Sequence, residues 1–114
     1  MRVAVRLHFG SDARLGPGKI DLLDAIGRTG SISAAGREMG MSYRRAWLLV
    51  DAVNGMFAQP AVTASAGGAQ GGGAILTPFG RDLVAAFRRL EARARAAAEE
   101  ELAGVLAQLA PPEP

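Results

Sequence analysis

The stretch Gly30-Ser-Ile-Ser-Ala-Ala-Gly-Arg-Glu-Met-Gly-Met-Ser-Tyr-Arg-Arg-Ala-Trp47 decides the fold of this chain. Ser31 stands where a helix cap is needed, and Ile32, Ala35 and Met39 then fall on one side of a short helix. Gly40 ends that helix, because glycine lets the backbone turn sharply before Met41. Ser42 caps a second helix. Ala46, Leu49, Val50, Val53 and Phe57 form its apolar stripe, with Arg44, Leu48 and Asp51 opposite. Asn54-Gly55 weakens its last turns, and Pro60 forbids continuation. Ala34 and Ala35 are small enough to let the first of these helices lie close to its neighbours.

Upstream, Ile20, Leu22, Leu23 and Ile26 recur at helical spacing from about residue 18 to Arg28, and Thr29-Gly30 stops that helix. Residues 10–18 are turn-rich. Residues 1–9 alternate, with Met1, Val3, Val5, Leu7 and Phe9 on one face, which predicts a half-buried strand. Downstream, residues 61–65 and 74–76 predict two strands joined by a glycine-rich loop, a two-stranded ribbon. Thr77-Pro78 then opens a long helix with Thr as cap and Pro at its first position. Leu83, Phe87, Leu90, Ala94 and Ala97 step by four and three, and Ala98, Leu102, Val105 and Leu109 resume the stripe after a shift of one. A stripe sustained that far beyond a small core needs a partner surface.

Composition narrows the function. The 114 residues contain no cysteine and one histidine, His8, so disulfides, thiolate metal sites and the usual zinc or iron ligand sets are not expected. No carboxylate pair sits in an evident pocket, which argues against an enzyme. No cofactor and no metal are expected. No apolar run approaches the roughly 20 residues needed to cross a bilayer, and no signal peptide is evident, so a cytoplasmic protein without membrane contact is expected. The glycine-rich loop lacks the Gly-Lys-Ser/Thr ending of a P-loop, having Ala74-Ile75 there instead. Net charge is only +2, but its distribution is uneven. Residues 28–45 carry four arginines against Glu38, and residues 81–95 carry five against Asp82 and Glu91. Such asymmetry suits one anion-facing side.

Strand, helix, helix, turn, helix, ribbon, helix is the order of a winged helix-turn-helix. The expected fold is mainly α with a small β-ribbon, plus a long C-terminal dimerisation helix. The expected division is a DNA-binding unit over 1–77 with its wing at about 61–77, the dimerisation helix over 78–110, and a disordered tail at 111–114. Gly30-Ser-Ile-Ser-Ala-Ala, Met41-Ser-Tyr-Arg-Arg-Ala-Trp, Val50-Asp-Ala-Val-Asn, Gly71-Gly-Gly-Ala-Ile-Leu-Thr-Pro and Gly80-Arg, in this order, resemble the DNA-binding domain of the ModE family of molybdate-responsive transcriptional regulators. The resemblance covers roughly residues 18–95. It implies a regulator that binds a pseudo-palindromic operator in double-stranded DNA as a homodimer, with a link to molybdenum metabolism. Well-known members continue into a pair of molybdate-binding domains absent from this sequence, so any sensing is expected to reach it through a separate effector-sensing partner. LysR-type regulators share the Gly-Ser-Ile-Ser-Ala-Ala pattern but carry a Leu-Glu pair where Val53-Asn54 stands.

On this reading the candidate DNA-binding residues are Ser31, Ser33, Ser42, Tyr43, Arg44, Arg45, Gln70 and Gly71. A helix N-terminus offers free N–H groups to a phosphate. Arg44 points away from the stripe toward guanine edges or phosphate, and Arg45 lies on the flank toward the DNA backbone. Two roles are open to Tyr43, reaching a phosphate or padding the core. Ser31 is expected to serve chiefly as a cap. Trp47 lies beside the stripe and is expected in the core. Gln70 and Gly71 would touch DNA if the glycine loop acts as a wing, although that loop carries no Lys or Arg. The candidate dimer interface is Leu83, Phe87, Leu90, Ala94 and Leu102. A winged-helix protein-interaction module using Leu48 is the competing class.

Overall fold

The computed structural model describes residues 1–65 and 73–112. These form a mainly α fold of five helices and two small antiparallel hairpins, consistent with a winged helix. The first hairpin joins β1 (Leu7–His8) to β2 (Arg14–Leu15), with Leu7 opposite Leu15 and His8 opposite Arg14. It is far shorter than the strand expected over residues 1–9. Only the residues that meet β2 gain ladder partners, because the chain turns back at once after Phe9. The alternation itself persists as burial, with Val3, Val5 and Leu7 half-buried and Ala4, Arg6 and His8 exposed.

Helix α1 (Pro17–Thr29) buries Ile20, Leu22, Leu23, Ala25 and Ile26, and so forms the hub of the core. Helices α2 (Ile32–Glu38) and α3 (Tyr43–Met56) follow, each with its predicted cap in place. Ser31 Oγ accepts from the Ala34 N–H at 3.0 Å, and Ser42 Oγ accepts from the Arg45 N–H at 3.1 Å. Gly40 has φ +69°, a left-handed conformation that a β-carbon would strain, and it makes the tight corner between the two helices. Ala35 and Ala46 are wholly buried, and their small side chains bring α2 and α3 together.

The second hairpin pairs β3 (Val62–Ser65) with β4 (Gly73–Leu76), Val62 lying opposite Leu76 and Ser65 opposite Gly73. The Ala74 N–H also donates to the Gly30 carbonyl at 3.0 Å, fixing the ribbon to the end of α1. Asn54 fixes the other strand. Its Oδ1 accepts from the N–H groups of Ala61 at 2.8 Å and Val62 at 3.1 Å, while its Nδ2 donates to the Val62 carbonyl at 3.0 Å. The residue expected to loosen the end of α3 therefore ties the helix to the ribbon, and α3 runs on to Met56.

Helix α4 (Pro78–Glu101) starts where Thr77 Oγ1 accepts from the Gly80 N–H at 2.9 Å and donates to the Pro60 carbonyl at 2.7 Å. Val84 and Phe87 are buried against the core. The single long helix expected to reach residue 110 is interrupted. Leu102 has φ −106° and ψ 12°, outside the helical basin, and a one-turn helix α5 (Ala103–Leu106) follows. Beyond Phe87 no residue of α4 is buried, so no tertiary packing holds its end in register, and Gly104 lowers helix propensity there. Among the described residues no helix is long and apolar enough to cross a membrane.

Candidate nucleic-acid interface

The first turns of α3 are divided sharply by environment. Ala46, Val50 and Val53 face inward and are buried. Tyr43, Arg44, Arg45, Trp47 and Leu48 are exposed, with Tyr43 at 58%, Trp47 at 46% and Leu48 at 47% of full accessibility. Of the two roles open to Tyr43, the structure takes the exposed one. Trp47, expected in the core, stands out of it. The inward positions of this turn are taken by Ala46 and Val50, and Gly36 of α2 packs closely on Ala46. Tyr43, Arg44 and Trp47 together line one shallow surface depression.

A groove of about 390 Å³ runs between the helices and the ribbon, lined by Ser31, Ser33, Tyr43, Trp47, Thr63 and Gly73 among others. It brings Ser31 and Ser33 of the α2 segment to the same side as Tyr43. Ser31 and Ser42 each spend a hydroxyl lone pair on capping, so what they offer outward is a hydroxyl donor. Ser33 is exposed. Gln70 and Gly71 lie outside the described residues.

The arginines expected to face an anion are not equivalent. Arg28 is engaged by Glu38, its Nη2 donating to Oε2 at 2.9 Å and its Nη1 to Oε1 at 3.3 Å. That hydrogen bond holds the Glu38 carboxyl below its usual range. Arg37, Arg44 and Arg45 are exposed and make no ion pair among the described residues. In the second cluster, Arg88 donates to Asp21 at 2.8 Å and to Glu91 at 3.0 Å, with Asp24 at 3.6 Å. Arg88 therefore works as a tie between α4 and α1.

The residues expected at a dimer interface separate into two groups. Phe87 is 3% exposed and Leu83 packs against the same cluster, so both belong to the core of their own chain. They follow the stripe because α4 begins as a core helix before it leaves the body. Leu90 and Leu102 are exposed, at 38% and 42%, and Ala94 is half-buried.

Sequence reasoning missed a cleft on the other flank of α3. Arg6, Arg14, Lys19 and Arg45 line it with Met41 and Leu49, around a volume of about 250 Å³. The Lys19 ammonium donates to the Arg14 carbonyl at 2.8 Å. Burial, with Arg14 and Arg6 nearby, pushes its pKa below the usual lysine range. No spacing signal announces this grouping, because three separate segments contribute. Among the described residues no three His, Asp or Glu side chains gather closely enough to hold a metal ion.

No family model matches the chain. Individual relatives do. It is 58% identical over 80 residues to the molybdenum-pterin-binding protein MopB of Rhodobacter capsulatus, covering 70% of this chain and 30% of that protein. It is 41% identical over 92 residues to the molybdenum transport protein ModE of Azotobacter vinelandii, covering 79% and 34% respectively. To the DNA-binding transcriptional dual regulator ModE of Escherichia coli (strain K12) it is 38% identical over 68 residues, covering 60% and 26%. On these matches the chain is a homologue of the Mop and ModE proteins, and it spans about a third of the length of the curated relatives it matches.

Proposed function

We propose that this chain is a sequence-specific double-stranded DNA-binding transcriptional regulator of the ModE type, acting as a homodimer on a pseudo-palindromic operator and linked to molybdenum metabolism. One observation carries the reading: the opening turns of α3 present Tyr43, Arg44, Arg45 and Trp47 outward while the stripe behind them is buried. A capped helix N-terminus offered this way fits a major groove, with the β3–β4 ribbon alongside as a wing. The relative named as a DNA-binding regulator supports the same reading.

Arg44 takes the base-reading role, because it projects from the exposed face beside Tyr43 and Trp47. Arg45 and the exposed Ser33 take backbone phosphates, which position the domain without reading sequence. The apolar face of α4 beyond Phe87 supplies the two-fold contact through Leu90 and Ala94, with Leu102 just past its end. Two recognition helices would then meet successive major grooves about 34 Å apart.

The test is titration of a duplex, enriched by the protein from a random pool, with wild type and Arg44→Ala. A loss of about 1–3 kcal/mol together with relaxed preference at one position is expected. Equal affinities would remove Arg44 from the reading.

A second reading rests on the exposure of Tyr43, Trp47 and Leu48 together. Such an aromatic and aliphatic surface also suits a protein partner. A protein surface of this kind would respond weakly to salt, whereas phosphate contacts respond steeply.

A further inference from the structure

The cleft beside the N-terminus of α3 gathers four basic side chains from three places in the chain: Arg6 before β1, Arg14 and Lys19 around the start of α1, and Arg45 of α3. No carboxylate lines it, and none of the four makes an ion pair among the described residues. The start of α1 adds to the positive potential. Gly16 is its N-cap without a side-chain cap bond, and no acidic residue sits in its first turn. Gly16 and Gly18 line the same cleft, so the uncapped N–H groups of this 13-residue helix border it.

Converging cations repel one another, and among the described residues no carboxylate lines the cleft to relieve that repulsion. An anion would. A cleft of about 250 Å³ is smaller than the pockets that take drug-sized ligands, and it suits a small, compact group. Three guanidinium forks with a point-charge ammonium are a donor set that tetrahedral oxyanions select. We propose that the cleft formed by Arg6, Arg14, Lys19 and Arg45 binds one tetrahedral oxyanion of the phosphate class. The source is either a free anion or a phosphate of the duplex flanking the groove that α3 enters. The second source rests on the DNA-binding reading, and the first does not. The lowered pKa of Lys19 agrees with the site, since besides burial the neighbouring cations that lower it are the charges a bound anion would offset.

The experiment is calorimetric titration of inorganic phosphate into the full chain at low ionic strength, without DNA and again with saturating duplex. Variants are Arg14→Gln, Lys19→Gln, their double, and Arg93→Gln on exposed α4 as control. Circular dichroism checks that each variant keeps its fold. The expected result without DNA is saturable binding of one phosphate per chain. Arg14→Gln and Lys19→Gln should each weaken it about tenfold, by loss of a charge-assisted bond, with Arg93→Gln unchanged. Phosphate binding that persists beside bound duplex identifies a free anion as the ligand. Displacement by duplex identifies a backbone phosphate, and the double variant then lowers the salt slope of duplex binding by about 0.9. The proposal is overturned if phosphate binding is absent or indifferent to the variants while the double variant keeps the wild-type salt slope. If duplex fails to bind at all, the DNA-binding reading falls, and the phosphate titration alone still decides the cleft.

Discussion

The two halves of α4 have the same helical pattern and live in different surroundings. From Pro78 to Arg88 the helix is fixed at every turn: Thr77 caps it, Gly80 abuts Ala61, Val84 and Phe87 are buried, and Arg88 reaches back to Asp21. From Arg89 to Glu101 no residue is buried, and Leu90, Leu102, Val105 and Leu109 stand exposed past the body. Apolar periodicity is alike in both halves, but only the first finds its cover within the chain. Exposed apolar side chains gathered on α4 and on the short helix after its break fit an interface still to be made. A stripe therefore states that a face is to be covered, without stating by what.

The largest effect should come from the embedded half. A β-carbon at position 80 would overlap the carbonyl of Ala61, where backbone cannot yield as a flexible side chain would. Gly80→Ala should therefore cost about 3 kcal/mol, read as a fall in the thermal midpoint that does not depend on protein concentration. A variant as stable as wild type would show that α4 is not seated against Ala61 as described.

The projecting half should behave in the opposite sense. Leu90→Asp with Leu102→Asp should leave the fold intact by circular dichroism and convert the proposed dimer to monomer in sedimentation. A dimer that survives would place the two-fold contact elsewhere, and the contrast between the halves would lose its meaning. Phe87 is the wrong residue for this test, since an acid there would unfold the subunit itself.

The boundary between the halves is marked by Arg88. Arg88→Ala should destabilise by about 1 kcal/mol at most, because the side chain is 38% exposed and its pairs with Asp21 and Glu91 are partly screened. That loss should shrink as salt is added. A salt-independent loss would mean that the side chain's packing, and not its charge, holds α4 to α1.

The smallest effect belongs to Arg28 and Glu38, an exposed pair on the embedded body. The folded Glu38 pKa lies below its ordinary 4.5, so its contribution is present above that pH and is lost as pH falls through the lowered value. Glu38→Gln should remove that acid-side slope and leave stability at neutral pH almost untouched. A large change at neutral pH would contradict the pair's exposure.

Much of the fold was legible because its signals are local. Ser31, Ser42 and Thr77 cap the helices they were expected to cap, and Pro78 opens α4, since each of these bonds spans only three residues. The winged order follows from those boundaries. What stayed hidden depends on contacts across the sequence. Asn54 reads as a helix breaker until Ala61 and Val62 come within its reach. Trp47 reads as core until the space behind it proves to be filled. The split of Leu83 and Phe87 from Leu90 and Leu102 depends on where the body ends. The cationic cleft needs residues 6, 14, 19 and 45 together, and no period connects them.

The central claim is that the outward turn of α3 engages duplex DNA through arginine contacts to phosphate and base. Its most direct test is the affinity of the intact chain for its enriched duplex at two salt concentrations. The account predicts a loss of orders of magnitude between roughly 50 and 200 mM salt, as several phosphate contacts require. An affinity unchanged across that range would contradict it and assign the exposed face of α3 to a protein partner.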